Sequence, residues 1–348
     1  MLPGRANRLC GKILSTCRLQ LPAIFFQKDI CQRIKQEAKI LCSEWRVYPK
    51  LTVIEVGSRK DSALYVQQKH KFALDCGVEL FHIKLPSNCS QDALLELIDR
   101  CNHDITVHGL MIQLPLDSDE NINVWKPLYA IAPEKDVDGL GFRNTALLSR
   151  ENVLCHHNND DAVHYRMHIP CTAAACFALI HTTSFQLRGS HCVVLGRGRL
   201  VGAPIADLLS GPGCATVTQC HIHTRNLQEE VARADLLVCG VGYPGLVRGE
   251  WIKPGALVLD CGYSIIPDPQ SPSKSRCAGD VDFESAVTRA GWITPVPGGV
   301  GPLAIAMLFR NTLNSARWTV GLDSVLCDCT MASWAEQVGC HDQPARCP

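Results

Sequence analysis

Apolar positions recur along this chain in two alternating rhythms. From Lys28 to Trp45, Ile30, Ile34, Ala38 and Leu41 fall at helical spacing, which predicts an amphipathic helix. Leu51–Val56 is a short β-branched run ended by Gly57, the pattern of a strand entering a loop. Ser62–Cys76 reads as a helix, with Asp61 or Ser62 available to cap its start and Gly77 its end. A strand is expected over Val78–Leu85, a helix over Gln91–Cys101, and a strand over His108–Gln113, closed by Leu114-Pro115. The rhythm breaks at Ser149–Met167, a polar stretch around His156-His157-Asn158-Asn159-Asp160-Asp161 that reads as an exposed loop or insertion. It resumes with a strand at His191–Leu195, a helix at Leu200–Ser210, and strands at Ala215–Cys220, Leu236–Val241 and Ala256–Cys261. Strands alternating with helices predict an α/β fold with mostly parallel sheets.

The chain has 348 residues, enough for two domains, and the break in pattern puts their boundary near residues 165–172. Residues 319–348 lack clear periodicity and read as an appended tail. Composition is that of a globular protein, 46% hydrophobic and 20% charged. Lys and Arg number 34, as do Asp and Glu, so no net field recruits nucleic acid or an anionic membrane. No apolar run approaches the ~20 residues of a membrane span. The 20 cysteines are scattered, several of them (Cys192, Cys239, Cys261) within apolar strand-like runs, and no CxxC pair occurs. This pattern fits buried free thiols in a reduced intracellular protein. Two candidate metal sets, the His156-His157 loop and Cys327, Cys329, Cys340, His341 and Cys347, have no established ligand spacing, and no metal is expected. Arg5, Arg8, Lys12 and Arg18 precede any acidic residue, the first being Asp29, and no continuous apolar core follows them. That composition predicts an organellar targeting leader over about residues 1–25, the alternative being an untargeted cytoplasmic chain.

Three stretches carry candidate chemistry. Val193–Gly202 is a strand, a glycine-rich turn and a helix start, with Gly196, Gly198 and Gly202 in a GxGxxxG spacing. Glycines there let the backbone turn tightly and approach a pyrophosphate seated at the helix amino end. The strand Ala215–Cys220 is followed by His221-Ile222-His223-Thr224-Arg225, without the acid that usually holds the ribose of NAD. Arg197, Arg199, His223 and Arg225 offer positive partners for a 2′-phosphate instead, so NADP is favoured, with NAD remaining possible. On the predicted helix 62–76, Tyr65 and Lys69 are four residues apart and share a face with Phe72 and Cys76. A lysine on a largely apolar face either reaches solvent or has its pKa lowered toward usable proton transfer. Gln113 ends a strand, where α/β proteins place ligand-binding groups. The loop Lys135–Gly139 supplies either a helix-capping Asp or carboxylates that accept hydrogen bonds from an amino-pyrimidine ring. The glycines of Thr294–Pro302 allow close backbone contact with a planar ligand.

The segments YVQQKHK (65–71), GLMIQLPL (109–116), PEKDVDG (133–139), PCT (170–172), GRGRLVGAP (196–204), ATVTQCH (215–221), GEWIKPGA (249–256) and TPVPGGVGP (294–302) occur in this order over about residues 30–318. Together they resemble the bifunctional methylenetetrahydrofolate dehydrogenase/cyclohydrolase family. The resemblance implies an amino-terminal α/β folate-binding domain (26–167, plus about 303–318) and a Rossmann-like NAD(P)-binding domain (168–302). It further implies that the last helix returns to the first domain, and that the protein is a homodimer through the cofactor domains. The implied reactions are oxidation of 5,10-methylenetetrahydrofolate with NADP and hydrolysis of the methenyl product to 10-formyltetrahydrofolate. Lys69 matches the family's catalytic lysine and Gln113 the residue that hydrogen-bonds it. Tyr65 matches the aromatic that stacks on substrate, and Asp138 the carboxylate that holds the pterin. Pro297, Gly298 and Gly299 are implied on the substrate side. Gly196, Arg197, Gly198, Gly202, His221, Thr172 and Gly301 are implied on the cofactor side.

The chain departs from the family pattern mostly on the cofactor side. Gly198 stands where a serine is usual, and Ile222 where a serine commonly follows the histidine. Thr172-Ala173 replaces Thr-Pro, Leu303-Ala304 replaces Met-Thr, and Cys261-Gly262-Tyr263 replaces a more usual Gly-Ile-Asn. Lost hydroxyl bonds of this kind are each worth ~0.5–1.5 kcal/mol, and up to ~3 with a charged partner. Either cofactor binding is weakened or relaxed, or dehydrogenation is impaired while hydrolysis persists. The first is preferred, since the glycine scaffold and Arg197 remain. A non-catalytic folate-binding relative would show damage at Lys69, Gln113 or Asp138, and these are intact.

Overall fold

The computed structural model describes residues 23–150, 166–268 and 271–324. The expected leader, most of the 149–167 insertion and most of the tail, with both candidate metal sets, lie outside the described residues. Two compact units divide the chain: Phe25–His181 with the segment from Pro302 onward, and Thr182–Gly301. Among the described residues, no helix is long and apolar enough to cross a membrane.

The first unit is built on a three-stranded parallel sheet in the order β2-β1-β3, with β1 Lys50–Val56, β2 Glu79–Leu85 and β3 Gly109–Ile112. Central β1 is buried from Leu51 to Val56, whereas edge strand β2 alternates exposed and half-buried positions. Helix α1 (Ala23–Trp45) buries the predicted stripe Ile30, Ile34, Ala38 and Leu41. Helix α2 (Lys60–Cys76) starts earlier than predicted, with Arg59 in the capping position and no side-chain cap bond. It ends as expected at Gly77, which takes the left-handed conformation at φ 74°. Helices α3 (Gln91–His103), α4 (Trp125–Ala130) and α5 (Phe142–Arg150) follow.

Helix α6 (Cys171–His181) was not legible in the pattern. Cys171 and every residue from Ala173 to Ile180 are buried, so no polar face exists to generate a helical period. The α6 segment groups with the first unit, past the expected boundary near 165–172. The last helix, α10 (Val300–Thr319), packs into the same unit. Its Arg317 pairs with Glu37 of α1 at 2.7 Å, Gln27 Nε2 donates to Pro302 O at 3.0 Å, and Phe309 meets Phe72 of α2 at 5.1 Å between ring centroids.

The second unit carries a five-stranded parallel sheet in the order β10-β7-β6-β4-β5. Its strands are β4 His191–Leu195, β5 Thr216–Cys220, β6 Leu236–Cys239, β7 Leu257–Asp260 and β10 Trp292–Ile293. Helices α7 (Gly202–Ser210), α8 (Leu227–Arg233) and α9 (Phe283–Ala286) connect them. Strands β6 and β7 are buried throughout, which explains their continuous apolar runs. An antiparallel hairpin, β8 Ser264–Asp268 with β9 Ser271–Ala278, follows β7 and had no clear signal. Chain order runs outward from β4 in both directions, so the topological switch point lies between β4 and β6.

Candidate active site

The first-unit site forms where Lys69 of α2 meets Gln113, the residue that follows β3. Lys69 follows Tyr65 by one helical turn on α2, and Lys69, Phe72 and Cys76 are buried while Tyr65 is half-buried. Lys69 is only 7% exposed, so the face predicted from spacing turns inward and its lysine does not reach solvent. Gln113 follows β3, held in register by its backbone N–H on Ile54 O at 2.8 Å. Its side-chain amide donates to Leu114 O at 2.9 Å, which leaves Oε1 facing the lysine. Lys69 Nζ donates to Gln113 Oε1 at 2.6 Å.

Burial pushes the Lys69 pKa below its ordinary value, opposed first by the negative charge of Asp138 and also by that of Glu55. Burial also raises Asp138, opposed by Lys69 and by a hydrogen bond from Cys171. The two shifts point toward each other, as expected of two groups removed from water together. Cys171 is raised well above the usual thiol value by burial and by Asp138, so it remains a thiol and donates. Its Sγ also lies 3.3 Å from Val137 O.

The loop 133–139 separates the two roles the sequence left open for its acids. Asp136 Oδ2 accepts from Gly141 N–H at 2.7 Å and from Asn144 Nδ2 at 2.8 Å, and Oδ1 accepts from Leu140 N–H at 3.3 Å. It is the structural acid that starts α5, with its pKa pushed up to about 6 by burial. Asp138 is the acid beside Lys69. Asn311 of α10 fixes this arrangement, donating to Val137 O at 2.9 Å and Ile169 O at 3.0 Å. Ser315 Oγ donates to Glu134 O at 2.8 Å. Sequence reasoning missed Asn311 and the Cys171 thiol; the PCT motif contained the cysteine, whereas a lone asparagine in a helix carries no signal. Thr172 is half-buried in the first turn of α6.

In the second unit the glycine-rich loop joins β4 to α7. Gly196 has φ 103°, and a Cβ there would stand 2.7 Å from Gly240 O. A Cβ on Gly202 would overlap Gly196 O. Both glycines are therefore demanded by the fold, whereas Gly198 has open space in its Cβ direction. Arg197, Gly198 and Arg199 are exposed. His221 follows β5 and donates its backbone N–H to Thr224 Oγ1 at 2.9 Å. Its Nδ1 accepts from His223 N–H at 3.2 Å, which places the neutral ring's proton on Nε2. Ile222 beside it is 93% exposed. Pro297 is exposed, Gly298 and Gly301 are half-buried, and Gly299 is buried, where a Cβ would press on Pro295 O at 2.6 Å. Gly298 has φ 106°, so its glycine is required by conformation.

Two family models match the chain. Residues 25–138 match the tetrahydrofolate dehydrogenase/cyclohydrolase catalytic domain, and residues 170–320 match the NAD(P)-binding domain of the same family. The human protein "C-1-tetrahydrofolate synthase, cytoplasmic" is 46% identical over 269 residues, which is 77% of this chain but 28% of that protein. The chain thus spans just over a quarter of that relative's length. The "Bifunctional protein FolD" of Jannaschia sp. (strain CCS1) is 40% identical over 298 residues, 86% of this chain and 92% of its own. Among solved structures, the methylenetetrahydrofolate dehydrogenase-cyclohydrolase (FolD) of Trypanosoma brucei, complexed with NADP cofactor and inhibitor, superposes with TM-score 0.78 at 38% identity, over 87% of this chain and 98% of that one. The bifunctional FolD enzyme of Campylobacter jejuni gives TM-score 0.76 at 34% identity, over 86% and 99% respectively. This chain belongs to the tetrahydrofolate dehydrogenase/cyclohydrolase family.

Proposed function

We propose that this chain oxidises 5,10-methylenetetrahydrofolate to the 5,10-methenyl form and hydrolyses that product to 10-formyltetrahydrofolate, in one-carbon metabolism. The observation that carries the reading is the buried Lys69 bonded to Gln113 Oε1 at 2.6 Å. An amine held away from water with a lowered pKa gives up its proton more readily than an exposed lysine does. Lys69 takes a proton from the water that adds to the methenyl carbon and gives it to the ring nitrogen as the C–N bond breaks, while the adduct's hydroxyl loses its proton to solvent and becomes the formyl oxygen. Gln113 orients the lysine lone pair and sets its protonation. Asp138 accepts hydrogen bonds from the amino-pyrimidine edge of the pterin, and Tyr65 stacks on its plane.

The second unit suits NADP. NADP supplies the nicotinamide carbon that receives hydride from the methylene bridge. Gly196 and Gly202 shape the turn for a pyrophosphate, with Gly198 between them and Gly301 in the same unit. Arg197 and the Nε2–H of His221 are donors for a 2′-phosphate, and no carboxylate stands among residues 221–228 to oppose it. NAD remains the alternative, because Gly198 and the exposed Ile222 provide no hydroxyl to that phosphate. Single-turnover formation of NADPH from methylenetetrahydrofolate tests the dehydrogenase, and conversion of the methenyl form without added cofactor tests the hydrolase. No hydride transfer at saturating NADP or NAD would leave a cyclohydrolase only; absence of both activities would make this a non-catalytic relative.

The basic, acid-free stretch before Asp29 supports a mitochondrial leader. The family resemblance supports a homodimer through the cofactor units. Fractionation of cells expressing the full chain with and without residues 1–25 tests the first, and light scattering of the purified protein tests the second.

A further inference from the structure

The second unit contains a pair of buried acids that the proposed chemistry does not use. Asp260 ends β7, and Asp280 lies 20 residues later; they are 3% and 0% exposed. Asp260 Oδ1 accepts from Gly262 N–H at 2.8 Å and Asp280 N–H at 3.1 Å, and Oδ2 from Val281 N–H at 2.9 Å. Its own N–H donates to Thr294 Oγ1 at 2.8 Å. Burial pushes the Asp260 carboxyl up to about 6. Asp280 reaches the other way. Its Oδ2 accepts from Val241 N–H at 2.6 Å and from Gly242 N–H at 3.1 Å, while buried Oδ1 has no hydrogen-bond partner. Side chains at positions 262 and 279 would overlap the Asp280 and Asp260 carboxyls respectively, so glycine at both positions lets the pair be buried.

The turn that Asp280 holds is the outlet of β6. β6 pairs with β4 in parallel register, and the switch point between them is where open α/β sheets receive their ligands. The turn also touches the glycine-rich loop. Gly240 O faces Gly196 so closely that a Cβ on Gly196 would stand 2.7 Å away, and a Cβ on Gly240 would meet Val201 Cγ1 at 2.9 Å. One wall of the crevice is thus the 196–202 loop and the other is the 240–242 turn. A buried side chain left with an unpartnered oxygen is costly, and its retention calls for a compensating role, here the acceptance of two backbone N–H groups by its other oxygen.

We infer that Asp280 is a positioning residue for the dinucleotide site, holding the Val241–Gly242 turn against the glycine-rich loop so that the crevice is preformed. This rests on the reading of the second unit as the NADP site. Asp280 touches neither substrate nor reacting atoms; it acts through the turn. Two charge-assisted bonds to backbone N–H groups are lost in Asp280→Ala, which predicts NADP binding weaker by about 10- to 100-fold. The dehydrogenase KM for NADP rises accordingly, its kcat at saturating NADP changes much less, and hydrolysis of the methenyl substrate, which involves no hydride, falls far less than the dehydrogenase kcat/KM. Asp280→Asn keeps one oxygen for the two N–H groups and puts its amide nitrogen in place of the unpartnered oxygen, so it restores NADP binding to within about threefold of wild type.

Calorimetric titration of NADP into wild type, Asp280→Ala and Asp280→Asn reads this directly, with the KM-against-kcat split as its kinetic counterpart. Should Asp280→Ala not fold, amide hydrogen exchange on the wild type decides: the Val241 and Gly242 N–H groups are expected to be protected like strand amides although both residues face solvent. Equal NADP affinity in wild type and Asp280→Ala, or solvent-rate exchange at both amides, overturns the inference and leaves the proposed function standing. Failure of the wild type itself to bind NADP overturns both.

Discussion

Lys69 and Arg197 are both cations expected to face a ligand, yet the fold treats them oppositely. Lys69 is 7% exposed, bonded to Gln113 and beside Asp138, and Gln113 is itself held by Leu114 O. Arg197 stands in solvent on a loop whose neighbour Gly198 has nothing near its Cβ direction. Proton chemistry needs the buried arrangement, because only desolvation and a fixed partner lower a lysine pKa. Anion binding does not, because the ligand brings its own charge to an exposed cation. The same contrast explains two of the departures from the family's pattern. Gly198 has open space in its Cβ direction and the Ile222 side chain is exposed, so exchanging these side chains leaves the scaffold intact, whereas a change at Lys69, Gln113 or Asp138 would leave a buried polar group without its partner.

The largest test of this contrast is Lys69→Met. Cyclohydrolase is expected to fall about 10³-fold or more, with folate binding largely kept, since a positioned proton-transfer group contributes ~10²–10⁴. Next is Asp138→Ala, which removes a carboxylate that accepts from the pterin; the substrate Kd should rise about 10- to 100-fold. Titration of the protein's intrinsic fluorescence with folate reads it, and an unchanged Kd would remove Asp138 from the substrate site. Gln113→Glu puts a negative charge against the amine. If neutral Lys69 is the active form, hydrolysis rises with pH through the Lys69 pKa, and an added carboxylate raises that pKa. The rising limb should therefore move to higher pH by about one unit or more. A limb that stays put or moves down would break the link between Gln113 and Lys69. The smallest effects belong to the exposed side. Gly198→Ser and Ile222→Ser should each tighten NADP by about 3- to 10-fold, the worth of one hydroxyl bond, while thermal stability stays within about 0.5 kcal/mol of wild type. Large losses of stability from either change would show that the exposed loop is not the passive scaffold described here.

Where secondary structure repeats with a period, the sequence was readable. The sequence places β4 at His191–Leu195 to the residue and names the buried stripe of α1 except for Cys31. α6 was invisible because a helix buried on all sides has no period, and the β8–β9 hairpin because its alternation is interrupted by proline and exposed on one side. The site divides likewise. Spacing alone placed Tyr65 and Lys69 on one face, but only the fold shows that this face turns inward and that Gln113 meets it from 44 residues away. Spacing could not separate Asp136 from Asp138. Their roles are assigned by which carboxylate the backbone of α5 already saturates. Asn311 and Asp280 act through backbone atoms remote in sequence, and such partnerships leave no local pattern.

The central claim is that Lys69 is a desolvated amine poised to exchange protons. Titrating its Nζ directly tests this, by NMR of isotope-labelled lysine with Lys69→Met assigning the resonance. A midpoint well below the ordinary lysine value of about 10.4 is predicted. A midpoint at or above that value would show an ammonium locked by Asp138 and Glu55, and would contradict the account.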